Sequence, residues 1–286
     1  MIDLHLHSSY SDGKLSVEEL VEEIIVSKVS YCSLTDHESI DGLEEIKALT
    51  ERNLINFING VEFSVLYNQQ EIHVLVYDFN IEEIESLLKE RNRIVESKRI
   101  EELRTTIDLF KKEGFKISND LKLKEKKTVG LLVALDVYGN KENHDLMIKQ
   151  CGYLPNEEEF YDKYQAYGCP CYVTKSGIDL DWLLEKLKNI KCDKILAHPF
   201  VSVSFLVKPL EIKDVDYLID RGLSGVEVYH DRNTDKQIDI LKKYVAEKKL
   251  LFTGGSDFHG NVGDMAIGFY NKDKNIPEFK LTNHQS

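Results

Sequence analysis

Short apolar runs ending on a polar or ionisable residue recur along the chain at 2–7, 31–36, 55–60, 72–77, 194–198, 225–229 and 250–253. Their length and their content of Val, Ile and aromatic residues predict strands. Stretches with helical spacing separate most of them, at 41–52, 180–189, 213–221 and 234–248. Ser16-Val17-Glu18-Glu19 has the form of a capping box and predicts a helix from there to residue 29. Alternating β and α segments imply a mainly parallel sheet with helices outside it. Seven such strands predict an α/β fold, a distorted seven-stranded (β/α)7 TIM-like barrel. The barrel is expected to be irregular between the third and fourth strands, which a short non-helical stretch connects.

The rhythm breaks after residue 79. A long charged helical run covers 81–113 and ends at Gly114, a residue suited to the left-handed turn that closes helices. Smaller helical pieces follow, without a convincing strand. This predicts a discontinuous barrel over residues 1–79 and 172–275, with a helical insertion over 80–171 packed over or beside the barrel mouth. That insertion is either a stabilising layer or a cap that shapes the substrate pocket, and both readings stay open.

Charge narrows the partners. Asp and Glu number 50 against 37 Lys and Arg, a net charge of −13, which argues against a footprint on duplex nucleic acid. A small anionic substrate remains compatible, because bound cations can reverse the sign of a pocket. No stretch approaches the roughly 20 apolar residues of a membrane span, and the first residues do not resemble a secretion signal. The expectation is a cytoplasmic protein with no obligate protein partner. The five cysteines (Cys32, Cys151, Cys169, Cys171 and Cys192) are scattered and odd in number, unlike a disulfide framework. Cys169-Pro170-Cys171 lacks a second pair to complete a zinc site and reads as structural.

The histidines carry the chemistry. Side chains alternate along a strand, so His5 and His7 share a face opposite Ile2, Leu4 and Leu6. With the apolar set against the helices, two imidazoles point into the barrel, placed to share one cation, and Asp12-Gly13 follows. Later strand ends repeat the theme in Thr35-Asp36-His37, Gly60-Val61-Glu62, the fourth strand's His73, Ala197-His198-Pro199 and Gly254-Gly255-Ser256-Asp257-Phe258-His259-Gly260. Strand ends of this barrel type converge at one face, so these segments are expected to meet.

Asp3-x-His5-x-His7, Asp12-Gly13, Thr35-Asp36-His37, Gly60-x-Glu62, Ala197-His198-Pro199 and Gly255-Ser256-Asp257-x-His259-Gly260 together resemble the ordered motifs of the PHP (polymerase and histidinol phosphatase) family. The match extends over residues 1–79 and 172–269 and includes Gly225-Val226-Glu227-Val228-Tyr229. It is closest to stand-alone PHP phosphoesterases with a helical insertion.

The resemblance implies three divalent transition-metal ions (Zn, Mn or Fe) and no organic cofactor. One ion would be held by His5, His7, Glu62 and Asp257, and a second by Glu62, His73 and His198. A third would be held by Asp12, His37 and His259. Imidazole-rich donors suit those metals better than Mg or Ca. Asp3 and Asp36 would orient the ligating imidazoles. The implied activity is hydrolysis of a small phosphorylated metabolite, with nucleotides among the candidates, by metal-activated water. Asp257 would be essential to that reaction, and His198, His259 or a coordinated water would protonate the leaving group. Lys175, His230 and Arg232 are candidate substrate contacts. The competing expectations are a histidinol-phosphate phosphatase and a PHP domain that binds metal without catalysis. Nucleotide-acting relatives carry Arg and His inside the insertion. Here residues 128–135 carry no cationic group.

Overall fold

In the computed structural model, which describes residues 1–124, 127–201, 209–271 and 274–285, the apolar runs form two main sheets with helices between the strands. Strands β1 (Ile2–Asp3), β2 (Tyr31–Cys32) and β3 (Asn56–Phe57) pair parallel in that order. Strands β4 (Gly60–Tyr67), β5 (Gln70–Tyr77), β6 (Asp193–Leu196), β7 (Gly225–His230) and β8 (Leu251–Gly255) lie side by side in the other. The β6–β7 and β7–β8 pairs are parallel, whereas β4–β5 and β5–β6 are antiparallel.

The sheet is therefore mixed, which corrects the expectation of mainly parallel pairing. Its cause is the two-residue turn at Asn68 and Gln69, with φ of 48° and 64°. Two consecutive left-handed residues give the turn whose twist suits a tight hairpin, and a hairpin forces antiparallel strands. The single run expected over 55–60 is split instead: β3 ends at Phe57, and β4 begins at Gly60 in the other sheet and runs to Tyr67. Gly60, Val61, Glu62 and Phe63 are all buried, so both faces are covered there and no polar alternation marks the strand.

Main-chain bonds also cross between the two sheets. Leu4 N–H donates to Gly254 O at 3.1 Å, His7 N–H to Phe258 O at 3.0 Å, and Glu62 N–H to Asp36 O at 3.3 Å. The first strand thus lies between β2 and β8, and the end of the second strand lies beside the start of β4.

Helices α1 (Val17–Val26) and α2 (Leu43–Arg52) bury Leu20, Val21, Ile24, Leu43 and Ile46. Ser16 and Glu19 form the reciprocal cap expected at the start of α1. Leu4, Leu6, Val61, Phe63, Val74, Ile195, Val226 and Val228 are all fully buried, each stabilising the fold by about 1.5–3 kcal/mol relative to exposure.

The chain divides into two compact units, Met1–Lys89 with Asp179–Ser286, and Glu90–Ile178. Helix α3 (Ile81–Lys112) runs from the first into the second. The second unit adds α4 (Val129–Gly139), α5 (His144–Cys151) and α6 (Glu157–Gln165) around a core of its own built on Phe110, Phe115, Val133, Phe160 and Tyr164. The uncharged stretch at 128–135 caps and starts α4, and Val129, Val133 and Ala134 belong to that core. Among the described residues no helix is long and apolar enough to cross a membrane.

Candidate metal centre

The backbone beyond β1 stays extended between two neighbours and carries His5 and His7 into the interior, both without solvent exposure. Gly255 lets β8 come this close, since a Cβ there would overlap the Cβ of His5. His5 Nε2 lies 3.1 Å from Glu62 Oε2 and 3.4 Å from Asp257 Oδ1. His7 Nε2 lies 3.2 Å and 3.3 Å from the same two oxygens. Four donor atoms from the first strand, β4 and the loop after β8 therefore face one point.

The other Glu62 oxygen, Oε1, is 3.0 Å from His73 Nδ1 and 3.4 Å from His198 Nε2. His37 Nε2 is 3.4 Å from Glu62 Oε2 and 3.8 Å from Asp12 Oδ2. Asp12 Oδ1 is 3.4 Å from His259 Nε2, and the His259 ring stacks on His7 with centroids 4.2 Å apart. All nine residues expected as ligands thus gather in one cluster. Ligand atoms lie within 4.8 Å of one another in three sets: His5, His7, Glu62 and Asp257; His7, Asp12, His37 and His259; and His37, Glu62 and His73. His37 reaches two of these sets, whereas the family pattern placed it with Asp12 and His259 alone. A cavity of about 180 Å3 opens over the cluster, lined by Asp12, His37, His73, His198, Arg232, Asp257 and His259 among others.

The donor set fits divalent cations on evidence of its own. Both ring nitrogens of His7 and Nδ1 of His37 are buried without a hydrogen bond of acceptable direction. Unpaired buried nitrogens are costly. His7 Nε2 is close to two carboxylates but not aimed along a hydrogen bond to either, as expected of lone pairs directed at a shared centre.

The electrostatics reflect this crowding. Burial alone would raise the Glu62 carboxyl, but the charges of His37, His5 and His73 hold it well below the ordinary range. Asp257 is likewise held well below it, against burial, by His5, His230 and His7. Burial opposes charge on His7, yet Asp257 and Glu62 push it up to about 9. Glu62, with Glu71, pushes His73 up to about 10 despite burial. Burial lowers His37 and His198. His198 and Asp257 have φ of 26° and 54°. Such left-handed conformations in non-glycine residues store strain and cluster at functional sites.

The surrounding carboxylates differ from expectation. Asp3 accepts the backbone N–H groups of His5, Ser256 and Gly268 at 3.2, 3.0 and 2.7 Å. Asp36 accepts from the Ser8 N–H and hydroxyl at 2.7 and 2.6 Å and from the Ser11 hydroxyl at 2.5 Å. Both hold loops and strands in place, in contrast to the ring orientation expected of them. Burial outweighs the hydrogen bonds of Asp3 and raises it to about 6. The ring contacts come from Glu227, whose Oε1 is 2.9 Å from His5 Nδ1, and from Glu71, whose Oε1 is 3.4 Å from His73 Nε2. Glu227 was legible as part of the family-like segment Gly225-Val226-Glu227-Val228-Tyr229, but with no role assigned to it.

Of the candidate substrate contacts, His230 is fully buried with Nε2 3.4 Å from Asp257 Oδ2. Arg232 is 57% exposed at the cavity wall, with Nη2 3.7 Å from the same oxygen. Lys175 is an exposed residue of the second unit.

A family model described as the PHP domain matches residues 3–106. A 3',5'-nucleoside bisphosphate phosphatase from Chromobacterium violaceum is 34% identical over 90% of this chain and 87% of its own length. A 5'-3' exoribonuclease from Haemophilus influenzae is 26% identical over 93% of this chain and 92% of its own. The fold matches a solved structure from Bifidobacterium adolescentis, provisionally called a metal-dependent phosphoesterase, with a TM-score of 0.62, 21% identity, and coverage of 96% of this chain and 92% of that one.

Proposed function

The chain belongs to the PHP domain family, and on that footing we propose that it is a metal-dependent phosphoesterase acting on small phosphorylated molecules, nucleotides foremost. The observation that carries this reading is the convergence of eight imidazole and carboxylate donors in three overlapping sets, which His198 joins through Glu62, with buried imidazole nitrogens that make no hydrogen bond of acceptable direction. The bonds from Leu4 to Gly254 and from Glu62 to Asp36 support treating the two sheets as parts of one distorted barrel. The helical residues of the second unit would then interrupt it as an insertion.

We assign His5, His7, Glu62 and Asp257 to one ion, Glu62, His73 and His198 to a second, and Asp12, His37 and His259 to a third. Zn, Mn or Fe suits donors of this kind. When bound, such ions lower the pKa of a coordinated water to about 7 and polarise phosphoryl oxygens. The chain's own residues do the rest. Arg232 offers an exposed guanidinium at the cavity wall to the phosphate, which a planar fork of donors suits. His230, buried behind Asp257, steadies that carboxylate and does not reach the substrate. With Nε2 assigned to an ion, neither His198 nor His259 keeps that nitrogen free to protonate the leaving oxygen, and His259 Nδ1 already faces the Asp257 carbonyl at 2.7 Å.

The relatives direct the choice of substrate, since one acts on nucleoside bisphosphates and another degrades RNA. The test is metal analysis followed by assay of the Zn-, Mn- and Fe-loaded chain. The panel should hold an aryl phosphate, nucleoside mono- and bisphosphates, short oligoribonucleotides and histidinol phosphate. Bound transition metal with release of phosphate from a nucleotide is expected. A chain that binds metal but hydrolyses none of the panel would overturn the assignment.

A further inference from the structure

Glu227 occupies the middle of β7 between Val226 and Val228, with no solvent exposure. A carboxylate so placed is retained only where donors meet it, and each of its oxygens has one. Oε1 lies 2.9 Å from His5 Nδ1, and Oε2 accepts the backbone N–H of His198 at 2.8 Å. We propose that Glu227 is a positioning residue that couples two neighbouring ion sites, fixing the tautomer of His5 with one oxygen and the backbone of His198 with the other. The inference rests on the metal-site reading above, in which His5 and His198 serve different ions.

The His5 half follows from imidazole chemistry. An acceptor at Nδ1 keeps the proton there and leaves the lone pair on Nε2, the nitrogen that faces Glu62 and Asp257. The His198 half follows from its backbone. A residue with φ of 26° needs its surroundings to hold it, and an N–H anchored to Glu227 does so while the ring nitrogen faces Glu62 at 3.4 Å. Both tasks need an acceptor, so two acceptor oxygens on one side chain are required. Glutamine fills the same volume but supplies one acceptor and one donor, so either its NH2 opposes the His198 N–H or His5 turns to the other tautomer and carries its proton on Nε2.

The test uses the full chain loaded with cobalt(II), read by visible absorption during competition with a chelator, for wild type, Glu227→Gln and Thr253→Val. Thr253 is the buried register partner of Glu227 and has no hydrogen-bond partner at Oγ1, so it controls for disturbance of the same core. Glu227→Gln is expected to weaken binding at two of the ion sites together by about 10–100-fold, the usual effect of losing such a support. Thr253→Val should bind as wild type does. Nitrogen NMR of the zinc-loaded wild-type chain supplies an arm that needs no variant and should show the His5 proton on Nδ1. The proposal is overturned by wild-type affinity in Glu227→Gln, by equal losses in both variants, or by a His5 proton on Nε2. Wild-type protein that binds no divalent ion at all would instead overturn the functional reading beneath it.

Discussion

Asp257 Oδ1 lies 3.3 Å from His7 Nε2, so the last motif of the chain faces the first across one buried group of donors. Replacing Asp257 by Asn preserves the shape while removing the charge that balances His5, His7 and His230. The expected result is a fall in kcat/KM of at least about 100-fold, reduced metal content and an almost unchanged circular dichroism spectrum. Full turnover with full metal content would contradict this role.

Chelation should make stability depend on pH in a defined direction. Without cations, Glu62 and Asp257 push His7 up to about 9 and Glu62 pushes His73 up to about 10. The unfolded chain titrates its histidines near 6.5. Between those values these two histidines bind more protons in the folded chain, so their contribution to stability is fully present below about 6.5 and is lost as pH rises through 9 to 10. Thermal melts of the chelated protein should show a midpoint that declines across that window. The metal-loaded protein, whose imidazoles have given up their protons, should show a smaller decline. Parallel curves with and without chelator would rule the explanation out.

Gly255→Ala should damage the centre by sterics alone. The new methyl would overlap the Cβ and backbone of His5, atoms that cannot move without shifting the first strand. Overpacking of this kind costs about 1–3 kcal/mol, with the upper end expected because the obstacle includes main chain. Urea unfolding measures the loss, and an unchanged midpoint would show that the strands separate more easily than the packing implies.

Arg232→Gln separates binding from folding. The side chain is 57% exposed and its ion pairs to Asp231 and Asp257 are 3.6 and 3.7 Å, so little stability is at stake. KM for a phosphorylated substrate should rise by at least roughly tenfold, since a charged hydrogen bond to phosphate contributes about 1.5–3 kcal/mol. The melting midpoint should stay put. An unaltered KM would remove Arg232 from the substrate pocket.

The strands with ionisable ends were readable because their polar residues interrupt apolar runs, and helix α1 was readable because its capping pair is local. The β4–β5 hairpin was not. Asn68-Gln69 lacks the glycine that usually announces such a turn, and β4 begins with four buried residues in a row. The role of Glu227 was hidden for a related reason. Gly225–His230 is buried at every position, so strand periodicity could not say which way the carboxylate faced. Its partners, a ring nitrogen from the first strand and an amide after β6, come together only in three dimensions. The metal-ligand candidates were legible as residue types in order, while the sharing of His37 between two sets is a matter of distances that no spacing encodes.

The first strand is clasped on one side by β2 and on the other by β8. Its second neighbour lies some 250 residues further along, so a chain emerging from the ribosome can close the Asn68-Gln69 hairpin early, through contacts local in sequence. It cannot bring Asp257 and His259 to the centre until synthesis has passed them. A nascent or prematurely terminated chain that stops short of those residues therefore lacks two of the donors proposed to hold the ions and, on that reading, chemical competence, whatever part of it has already folded.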